Sequence, residues 1–368
     1  MFTRRRAIFS LAALAVGCAR GRDERSRLVS AAIDEQDRYV VVRVDLGGSV
    51  DYATALEERG HDSVVAPDKS SLIVVARRPG RTLHQLDLSS GQLIRVVRTP
   101  KNRHLYGHGV YSADGRYFLT SENNLDTGTG VIVVREASSL ETVHELPSHG
   151  IGPHQIRLIN GGRHLVVANG GIATHPSYGR QPLNIDRMQP SLVKLEVSTG
   201  ALIARQVPAE AMSSVRHIDL LPDGEVLVGL QQQGHAQRLD PLVLRSTWQA
   251  GKTAAFLGTL SAPWADLQAM EKYTASVCCH PSNGLALVTC PRGHRVSFWD
   301  TRRRRLVKSL RVSDAAGAGF DPQANEFVVS TGRGIVNRYH GDTLESCAQM
   351  RRRVAGYRFD NHLTVVTS

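Results

Sequence analysis

Short apolar runs recur along the chain, separated by tight-turn sequences such as Pro-Asp, Asp-Gly and Asn-Gly. Residues 72–76, 164–168 and 326–330 are examples, rich in valine and with little alternation between apolar and polar positions. Runs of this kind are typical of β-strands that are buried on both faces, and glycine and asparagine turns commonly connect such strands. The pattern therefore predicts an all-β protein.

The predicted strands recur as copies of one unit of four strands. Aligned on the turn, the copies begin near Asp62, His108, His154, His217, Ser276, Gly317 and Val354. Their mean spacing of about 49 residues is the length of one β-propeller blade. We therefore predict a seven-bladed β-propeller.

The two ends of the chain are expected to share the last blade. The seventh copy stops after two strands, whereas residues 39–46 and 49–56 match the third and fourth strands of the other copies. Joining the N-terminal pair to the C-terminal pair would leave no open sheet edge. We accordingly predict a single propeller domain over residues 39–368, preceded by a linker over residues 19–38.

The first 18 residues have the features of an export signal. Arg4, Arg5 and Arg6 precede a short apolar stretch, a pattern that resembles a twin-arginine signal. Residues 14–18 resemble a lipobox that ends at Cys18. We expect a periplasmic protein, either anchored to lipid through Cys18 or released as a soluble mature form. No apolar run in the sequence reaches the length of a membrane span.

Composition indicates a globular protein, and net charge restricts the kinds of partner that it could bind. Apolar residues make up 41% of the chain, which is typical of a globular protein with a large core. The formal net charge is +11, and it falls to +8 when the three arginines of the predicted signal are removed, a charge that would suit anionic lipid or an acidic partner. Nucleic acid is not expected as a partner of an exported protein.

Four cysteines follow the predicted signal: Cys278, Cys279, Cys290 and Cys347. An oxidising periplasm permits disulfides. Cys278 and Cys279 would point to opposite faces of one strand, so that one of them could meet Cys290 on the next strand. The pairing among the four cysteines stays open. No C-x-x-C motif is present, so nothing supports a zinc knuckle or covalent haem.

Three consecutive copies carry a histidine six positions before the turn residue, namely His108, His154 and His217. The first strand of each propeller blade lines the central channel, so these side chains are expected to converge at one rim. Imidazoles are natural ligands of transition metals such as iron, copper and zinc. Glu122 is predicted to add a carboxylate ligand. His61 is one residue out of register and is not counted in this site.

A second set of residues on the same rim is predicted to contact a ligand: Asn123, His175, Gln233 and Arg292. Two long insertions, over residues 170–191 and 251–273, are placed to cover or flank this rim, and long ordered insertions are often functional. The alternative interpretation is structural. In that case each histidine only hydrogen-bonds a neighbouring blade, and the arginine caps turn carbonyls.

Motifs on this rim resemble those of the DUF1513 family of uncharacterised bacterial proteins. The matching segments include Gly107-His108-Gly109, Ser121-Glu122-Asn123, residues 149–154, residues 168–172, His175-Pro176, Arg216-His217 and Pro291-Arg292-Gly293. The resemblance covers nearly the whole mature chain and is densest over residues 107–234. It implies a periplasmic seven-bladed propeller. Members of the family are typically encoded near imelysin-like proteins and a di-haem oxidoreductase-like protein, which implies a role in iron acquisition.

We therefore predict a periplasmic propeller that is not an enzyme and that binds iron, or an iron-containing ligand or partner, at the histidine-bearing rim. The partners that the resemblance implies are imelysin-like or haem-containing periplasmic proteins. Two alternatives stay open: a metal-dependent redox or hydrolytic enzyme that uses the same rim, and a purely structural interaction platform. No G-x-S-x-G elbow or P-loop in the sequence supports an enzyme.

Overall fold

A computed structural model describes residues 26–179, 181–234, 239–248, 255–256 and 258–367. Seven β-sheets stand in a ring, each built mainly from antiparallel strands. The prediction of an all-β, seven-bladed β-propeller is confirmed. The predicted export signal over residues 1–18, with its Cys18, and part of the predicted insertion over residues 251–273 lie outside the described residues.

The strands of the first blades follow one another along the chain. Before the first complete blade come β1 (Arg27–Ile33), β2 (Tyr39–Asp45) and β3 (Val50–Ala55). Blade 1 contains β4 (Gly60–Val65), β5 (Ser71–Ala76), β6 (Thr82–Asp87) and β7 (Leu93–Arg98). Blade 2 contains β8 (Arg103–Tyr111), β9 (Tyr117–Asn124), β10 (Thr129–Glu136) and β11 (Thr142–Pro147). Blade 3 contains β12 (Pro153–Ile159), β13 (His164–Asn169), β14 (Ser191–Glu196) and β15 (Leu202–Val207).

The later blades repeat this order with one addition. Blade 4 contains β16 (Ser213–Leu220), β17 (Val226–Gln232), β18 (Val243–Arg245) and, after β19 (Ala255–Phe256) has joined the edge of blade 3, β20 (Gly258–Thr259). Blade 5 contains β21 (Val277–Cys279), β22 (Leu285–Cys290), β23 (Arg295–Asp300) and β24 (Arg305–Arg311). Blade 6 contains β25 (Ala315–Asp321), β26 (Glu326–Thr331), β27 (Ile335–His340) and β28 (Arg352–Arg353). The last strands are β29 (Arg358–Phe359) and β30 (Thr364–Val366).

Among the described residues, helical structure is confined to short segments. They are α1 (Trp264–Ala269) and four single 3-10 turns, Asn160–Gly162, Pro176–Tyr178, Ile185–Arg187 and Ala348–Met350. A helix with the length and apolar character needed to cross a membrane does not occur within the described ranges. The chemistry of the molecule is therefore placed by strands and by the loops between them.

Blade 7 combines both ends of the chain, but not in the division that the sequence predicts. Strand β1 pairs with β2 on one side and with β29 and β30 on the other, and Arg27 lies opposite Val366. The N-terminal segment thus contributes three strands, and the predicted linker over residues 19–38 contains β1. Alanine and serine give β1 a weak strand signal in the sequence, although its five central residues are buried.

The core lies between neighbouring blades. Strands β5, β17 and β26 are buried along their whole length, as expected for strands covered on both faces. Between blades 1 and 2, for example, Ile73 packs in one apolar cluster with Leu105 and Phe118. Burial of apolar surface stabilises by about 25 cal/mol per Å². The packing between sheets therefore holds the inner strands in place around the centre.

Irregular pairing marks the inner strands of blades 1 to 4. The register shifts lie between Gly60 and Asp62, between Leu105 and Gly109, between Pro153 and Ile156, and between Val215 and His217. A bulge of this kind leaves residues outside the regular ladder and changes the direction of their side chains. Each of these four shifts contains or adjoins a histidine.

The cysteines of blade 5 do not pair in the way that the sequence allowed. Cys278, Cys279 and Cys290 are buried free thiols. Strand register places Cys278 opposite Leu287 and Cys279 opposite Ala286, so neither faces Cys290 across the pair. Burial raises the pKa of the Cys290 thiol to about 12, which keeps it protonated and unreactive at neutral pH.

Candidate metal centre

Five histidines meet at the centre of the propeller, one from each of five neighbouring blades. We call them the histidine ring: His61, His108, His154, His217 and His362. Successive imidazole centroids around this ring lie 4.9, 4.7, 4.8, 4.9 and 4.5 Å apart, the last distance joining His362 to His61. The five side chains therefore form a closed circuit of ring contacts.

Two members of the ring are held by buried carboxylates. The Nδ1 atom of His108 lies 2.9 Å from Oδ2 of Asp62, and the Nδ1 atom of His61 lies 3.1 Å from Oδ1 of Asp360. A carboxylate beside Nδ1 favours the tautomer in which Nδ1–H donates and Nε2 keeps its lone pair. This arrangement is common behind histidines that bind metals.

The other three members are held by weaker polar contacts. The Nδ1 atom of His362 lies 3.3 Å from the hydroxyl of Ser276. The Nε2 atoms of His154 and His217 lie 3.1 Å apart, so that one neutral imidazole can donate to the other. The orientation of every member of the ring is therefore set by at least one polar neighbour.

The second nitrogen of each imidazole lacks such a neighbour. Within the described part of the chain, Nε2 of His61, His108 and His362 and Nδ1 of His154 and His217 are buried without a hydrogen bond. A buried polar atom without a partner costs roughly 1–3 kcal/mol, and buried polar atoms in native proteins are nearly always paired. Five such atoms lie in one cluster, where a shared ligand would satisfy them.

The ring is uncharged at neutral pH, and a carboxylate beside it is ionised. Burial lowers the pKa of His61 to about 4 and holds the pKa values of His108, His217 and His362 below the usual 6.5. Burial acts to raise the pKa of Asp360, but the hydrogen bond from His61 and the charges of nearby arginines keep that pKa well below its usual range. Neutral imidazoles with ionised carboxylates behind them are suited to binding a cation.

Four members of the ring can contact a common ion. One nitrogen each of His61, His108, His217 and His362 lies within 4.8 Å of the other three. Metal–nitrogen bonds of about 2 Å keep ligand nitrogens within about 4 Å of one another, so small movements of the rings would bring all four into bonding range. These four residues are at most 8% exposed, whereas His154 is partly exposed.

The residues predicted from the sequence contribute part of this centre. His108, His154 and His217 converge, although His154 lies beside the group of four rather than in it. His61 and His362 are not among the predicted ligands, yet both belong to the group of four. The ring therefore extends over two more blades than the repeat indicates.

A bulge explains why His61 is out of register with the repeat. The register shift after Gly60 brings His61 into the ring, while Asp62, at the in-register position, lies behind His108. Gly107 completes the fit, because its φ is +102° and a Cβ atom there would lie 2.4 Å from Cδ2 of His61. The glycine before His108 is the signal in the sequence that a second side chain packs at this point.

Glu122, the predicted carboxylate ligand, lies outside the ring. Its Oε1 accepts hydrogen bonds from the guanidinium of Arg135 and the hydroxyl of Thr120. Neighbouring residues of a strand point to opposite faces, and it is the hydroxyl of Ser121 that donates to the carbonyl of His154 at 2.6 Å. Glu122 therefore lies on the opposite face of β9 from Ser121, where it pairs with Arg135, and it is not in the group of four histidines.

Asn123 and His175 organise the insertion over residues 170–191. The Nδ2 atom of Asn123 donates to the carbonyl of Thr174 at 3.3 Å, which ties the insertion to blade 2. The Nδ1 atom of His175 accepts from the backbone N–H of Ser177 at 3.2 Å and so caps a 3-10 turn. These contacts give both side chains a structural role.

Gln233 and Arg292 also have protein neighbours of their own. The Nε2 atom of Gln233 donates to the carbonyl of Gln231 at 3.0 Å. The guanidinium of Arg292 is exposed and stacks over the ring of Tyr273, 4.2 Å from its centroid. Their predicted contact with a ligand remains a prediction.

Comparisons with known proteins agree with the fold. The model of a family described as "Protein of unknown function (DUF1513)" matches residues 54–366. Hydrazine synthase of Kuenenia stuttgartiensis is similar over 92% of this chain and 92% of its own, with a TM-score of 0.63 and 16% identity. A functionally unknown protein of Desulfotomaculum acetoxidans is similar over 94% of this chain and 99% of its own, with a TM-score of 0.60 and 11% identity. No curated protein matches the sequence. At these identities, the likeness to the two structures shows the fold alone.

Proposed function

The chain belongs to the DUF1513 family, and we propose that its histidine ring binds a transition-metal ion at the centre of the propeller. His61, His108, His217 and His362 would hold the ion. The observation that carries the proposal is that one nitrogen each of four buried, neutral imidazoles lies within 4.8 Å of the other three, and that each imidazole has a nitrogen without a hydrogen bond to a described residue. A purely structural role accounts for the hydrogen bonds that the ring makes between blades but not for the nitrogens left without one.

The surroundings of the ring support a cation. Asp62 and Asp360 each lie behind one proposed ligand and would orient it and raise its basicity. The two carboxylates would also offset part of the charge of a divalent ion in a site that excludes water. Binding would require no deprotonation of the ring at neutral pH, because burial already keeps these histidines neutral.

Iron is the metal that we propose, with copper and zinc as competitors for the same donors. Imidazole binds all three, so the preference for iron depends on the family resemblance and on the iron-related proteins encoded beside its members. We further propose that the protein acts in the periplasm in iron acquisition, either anchored through Cys18 or soluble. Imelysin-like or haem-containing periplasmic proteins are the partners that this role suggests.

Binding of the ion is favoured over catalysis on it. Four protein ligands complete the tetrahedral coordination that closed metal sites use, whereas catalytic sites keep a position open. The four proposed ligands are almost fully buried. A redox or hydrolytic enzyme is the second candidate, because the side of the ring near His154 borders a small recess. Turnover by the metal-loaded protein would favour that candidate.

Metal titration tests the proposal. Purified protein, stripped of metal and titrated separately with Fe(II), Cu(II) and Zn(II) without oxygen, is expected to bind one of these ions in a 1:1 ratio. The double variant His108→Ala/His362→Ala removes two donors. Its affinity is expected to fall by more than about 100-fold, because loss of an outer-shell partner alone costs about 10–100-fold.

His104→Ala is the matched control for this experiment. His104 lies in the same strand as His108 and is equally buried, but its Nδ1 lies 3.1 Å from the carbonyl of Leu105 rather than in the ring. The control is expected to bind metal as the native protein does. If the native protein binds none of the three ions, or if the double variant binds as well as the control, the proposal fails and the interaction platform remains.

A further inference from the structure

A groove where blades 5 and 6 meet is lined by four arginines. We call it the arginine groove, and its guanidinium groups belong to Arg311, Arg333, Arg351 and Arg353. Arg311 ends strand β24, Arg333 lies in the turn between β26 and β27, and Arg353 ends β28, the edge strand of blade 6. Separate segments of the chain therefore bring like charges to one place.

The charges of the arginine groove have no counter-charge among the described residues. All four arginines are exposed, and each residue that lines the groove is either neutral or an arginine. An adjoining recess contains three acidic residues. Two of these, Asp34 and Asp37, pair with Arg38 and Arg358, and the third, Glu35, forms no ion pair with an arginine of the groove. The groove therefore presents unpaired positive charge.

The neutral polar groups of the groove add hydrogen-bond donors. Asn337 lines it, and the Nδ2 atom of this residue is buried without a hydrogen bond to a described residue. The hydroxyl of Thr331 accepts from the backbone N–H of Ile335 at 3.0 Å, and a hydroxyl that accepts keeps its own proton for donation. Cationic forks and neutral donors together suit a ligand that is rich in anionic oxygen atoms.

We propose that the arginine groove binds a small polyanion, a molecule that carries at least two phosphate or carboxylate groups. A guanidinium can donate two parallel hydrogen bonds to either group. The groove has a volume of about 440 Å³, which lies in the range of small-molecule sites and exceeds the space that a single ion fills. Several arginines can therefore contact different anionic groups of one ligand.

A small ligand fits this groove better than the flat anionic surface of a membrane does. Thr331 is only 1% exposed, and the unpaired amide nitrogen of Asn337 is buried, so both donors lie deeper than the exposed arginines. Lipid head groups would contact the arginines but not these inner donors. Among the described residues that line the groove, none is an exposed large apolar side chain that could insert into lipid.

Calorimetric titration of the purified protein with pyrophosphate, citrate and acetate tests the proposal. Pyrophosphate and citrate chelate metals, so the protein is first stripped of metal, which makes the result independent of the histidine ring. Saturable binding of pyrophosphate or citrate is expected, and acetate, with one carboxylate, is expected to bind at least about tenfold more weakly. The affinity should fall when the ionic strength is raised from about 0.05 M to about 0.5 M, because salt screens exposed charges.

The double variant Arg333→Gln/Arg353→Gln removes two charged forks and is expected to weaken binding by about tenfold or more. Arg304→Gln/Arg305→Gln is the control, because it loses the same net charge on exposed residues that do not line the groove. Arg305 begins β24, about 20 Å along the strand from Arg311. The control is expected to bind as the native protein does, and circular dichroism checks that each variant is folded.

Three outcomes would overturn the proposal. The first is that neither pyrophosphate nor citrate binds the folded native protein saturably. The second is that the control variant loses as much affinity as Arg333→Gln/Arg353→Gln, which would indicate a general effect of net charge. The third is that the protein binds vesicles of phosphatidylglycerol but neither small polyanion, which would assign the groove to a membrane surface instead.

Discussion

Blades 5 and 6 differ from the other five blades at the positions that face the ring. The five blades each supply an imidazole, whereas blades 5 and 6 carry Ser276 and Gly317. The hydroxyl of Ser276 lies 3.3 Å from Nδ1 of His362. Gly317 leaves space for the backbone of the same residue, since a Cβ atom there would lie 2.8 Å from the carbonyl carbon of His362. Five blades therefore supply an imidazole to the ring, and blades 5 and 6 leave space for His362 beside them.

This contrast shows how a repeated fold can produce a one-sided centre. His217 of blade 4 and His362 of blade 7 are in direct ring contact, with centroids 4.9 Å apart, although two blades separate them in sequence. Small residues at the two intervening positions make this contact possible. The seven blades share one architecture, and one side chain from each of five blades builds the ring.

Acid is expected to have the largest effect on the histidine-bearing side. The folded ring holds the pKa of His61 at about 4, against 6.5 for an ordinary histidine. As the pH falls from about 6.5 towards 4, the unfolded chain binds protons that the folded ring excludes, so the free energy of unfolding decreases. The shift of His61 alone corresponds to roughly 3 kcal/mol, and the shifts of His108, His217 and His362 have the same sign.

Denaturation of two variants across this pH range compares the histidine-bearing blades with blades 5 and 6. His61→Gln removes one titrating group from the ring and is expected to flatten the dependence by up to about 1.4 kcal/mol per pH unit. His280→Gln is the control in blade 5, where His280 is buried against Asn325 rather than in the ring. The control is expected to keep the native slope. Equal slopes for the two variants would contradict the assignment of the acid response to the ring.

Substitution of Gly107 is expected to have the next largest effect. Gly107→Ala combines a strained backbone, at φ +102°, with a Cβ atom placed 2.4 Å from the ring of His61. We expect a loss of about 3 kcal/mol in the free energy of unfolding, measured by urea denaturation. Gly128→Ala is the control, since Gly128 also has a positive φ but no atom within 4 Å of the added methyl group. The control is expected to lose only about 1 kcal/mol, and an equal loss in both would argue against close packing at His61.

The outer partners of the ligands are expected to have the smallest and most informative effects. Asp62→Asn replaces a carboxylate 2.9 Å from His108, and it is expected to lower metal affinity by about tenfold or more. Ser276→Ala removes only a hydroxyl 3.3 Å from His362 and is expected to change the affinity less than about threefold. Competition with a coloured chelator measures both. If Ser276→Ala lowers the metal affinity more than Asp62→Asn does, the expected ranking of these two partners is wrong.

The fold could be predicted from the sequence because the blade signal repeats. Each apolar second strand and its turn are local features of the sequence. Each copy alone is a weak signal, but seven copies at similar spacing together indicate the same four-strand unit. Blade 7 was the exception, because β1 carries alanine and serine where other second strands carry valine. Its role as the partner of β30 depends on contacts between the two ends of the chain, which no local pattern records.

The candidate centre was predictable only where its residues keep the repeat register. His108, His154 and His217 keep it, and they converge. His61 does not, because a bulge displaces it by one residue. His362 belongs to the final blade, where strand β29 covers only two residues. The last copy of the repeat is therefore too short to be aligned with the others at this position. A bulge depends on how two strands pair, so its position cannot be predicted from the sequence of one strand alone.

The contact of His61 with the segment that contains His362 has a mechanical consequence. The hydrogen bond from His61 to Asp360 already spans 299 residues of chain. An ion bound by His61 and His362 would act there as a buckle, fastening the last segment of the chain to its first blade. Fastening a loop of this length lowers the entropy of the open chain. Metal supply would then decide how long the propeller resists opening at the seam between its two ends.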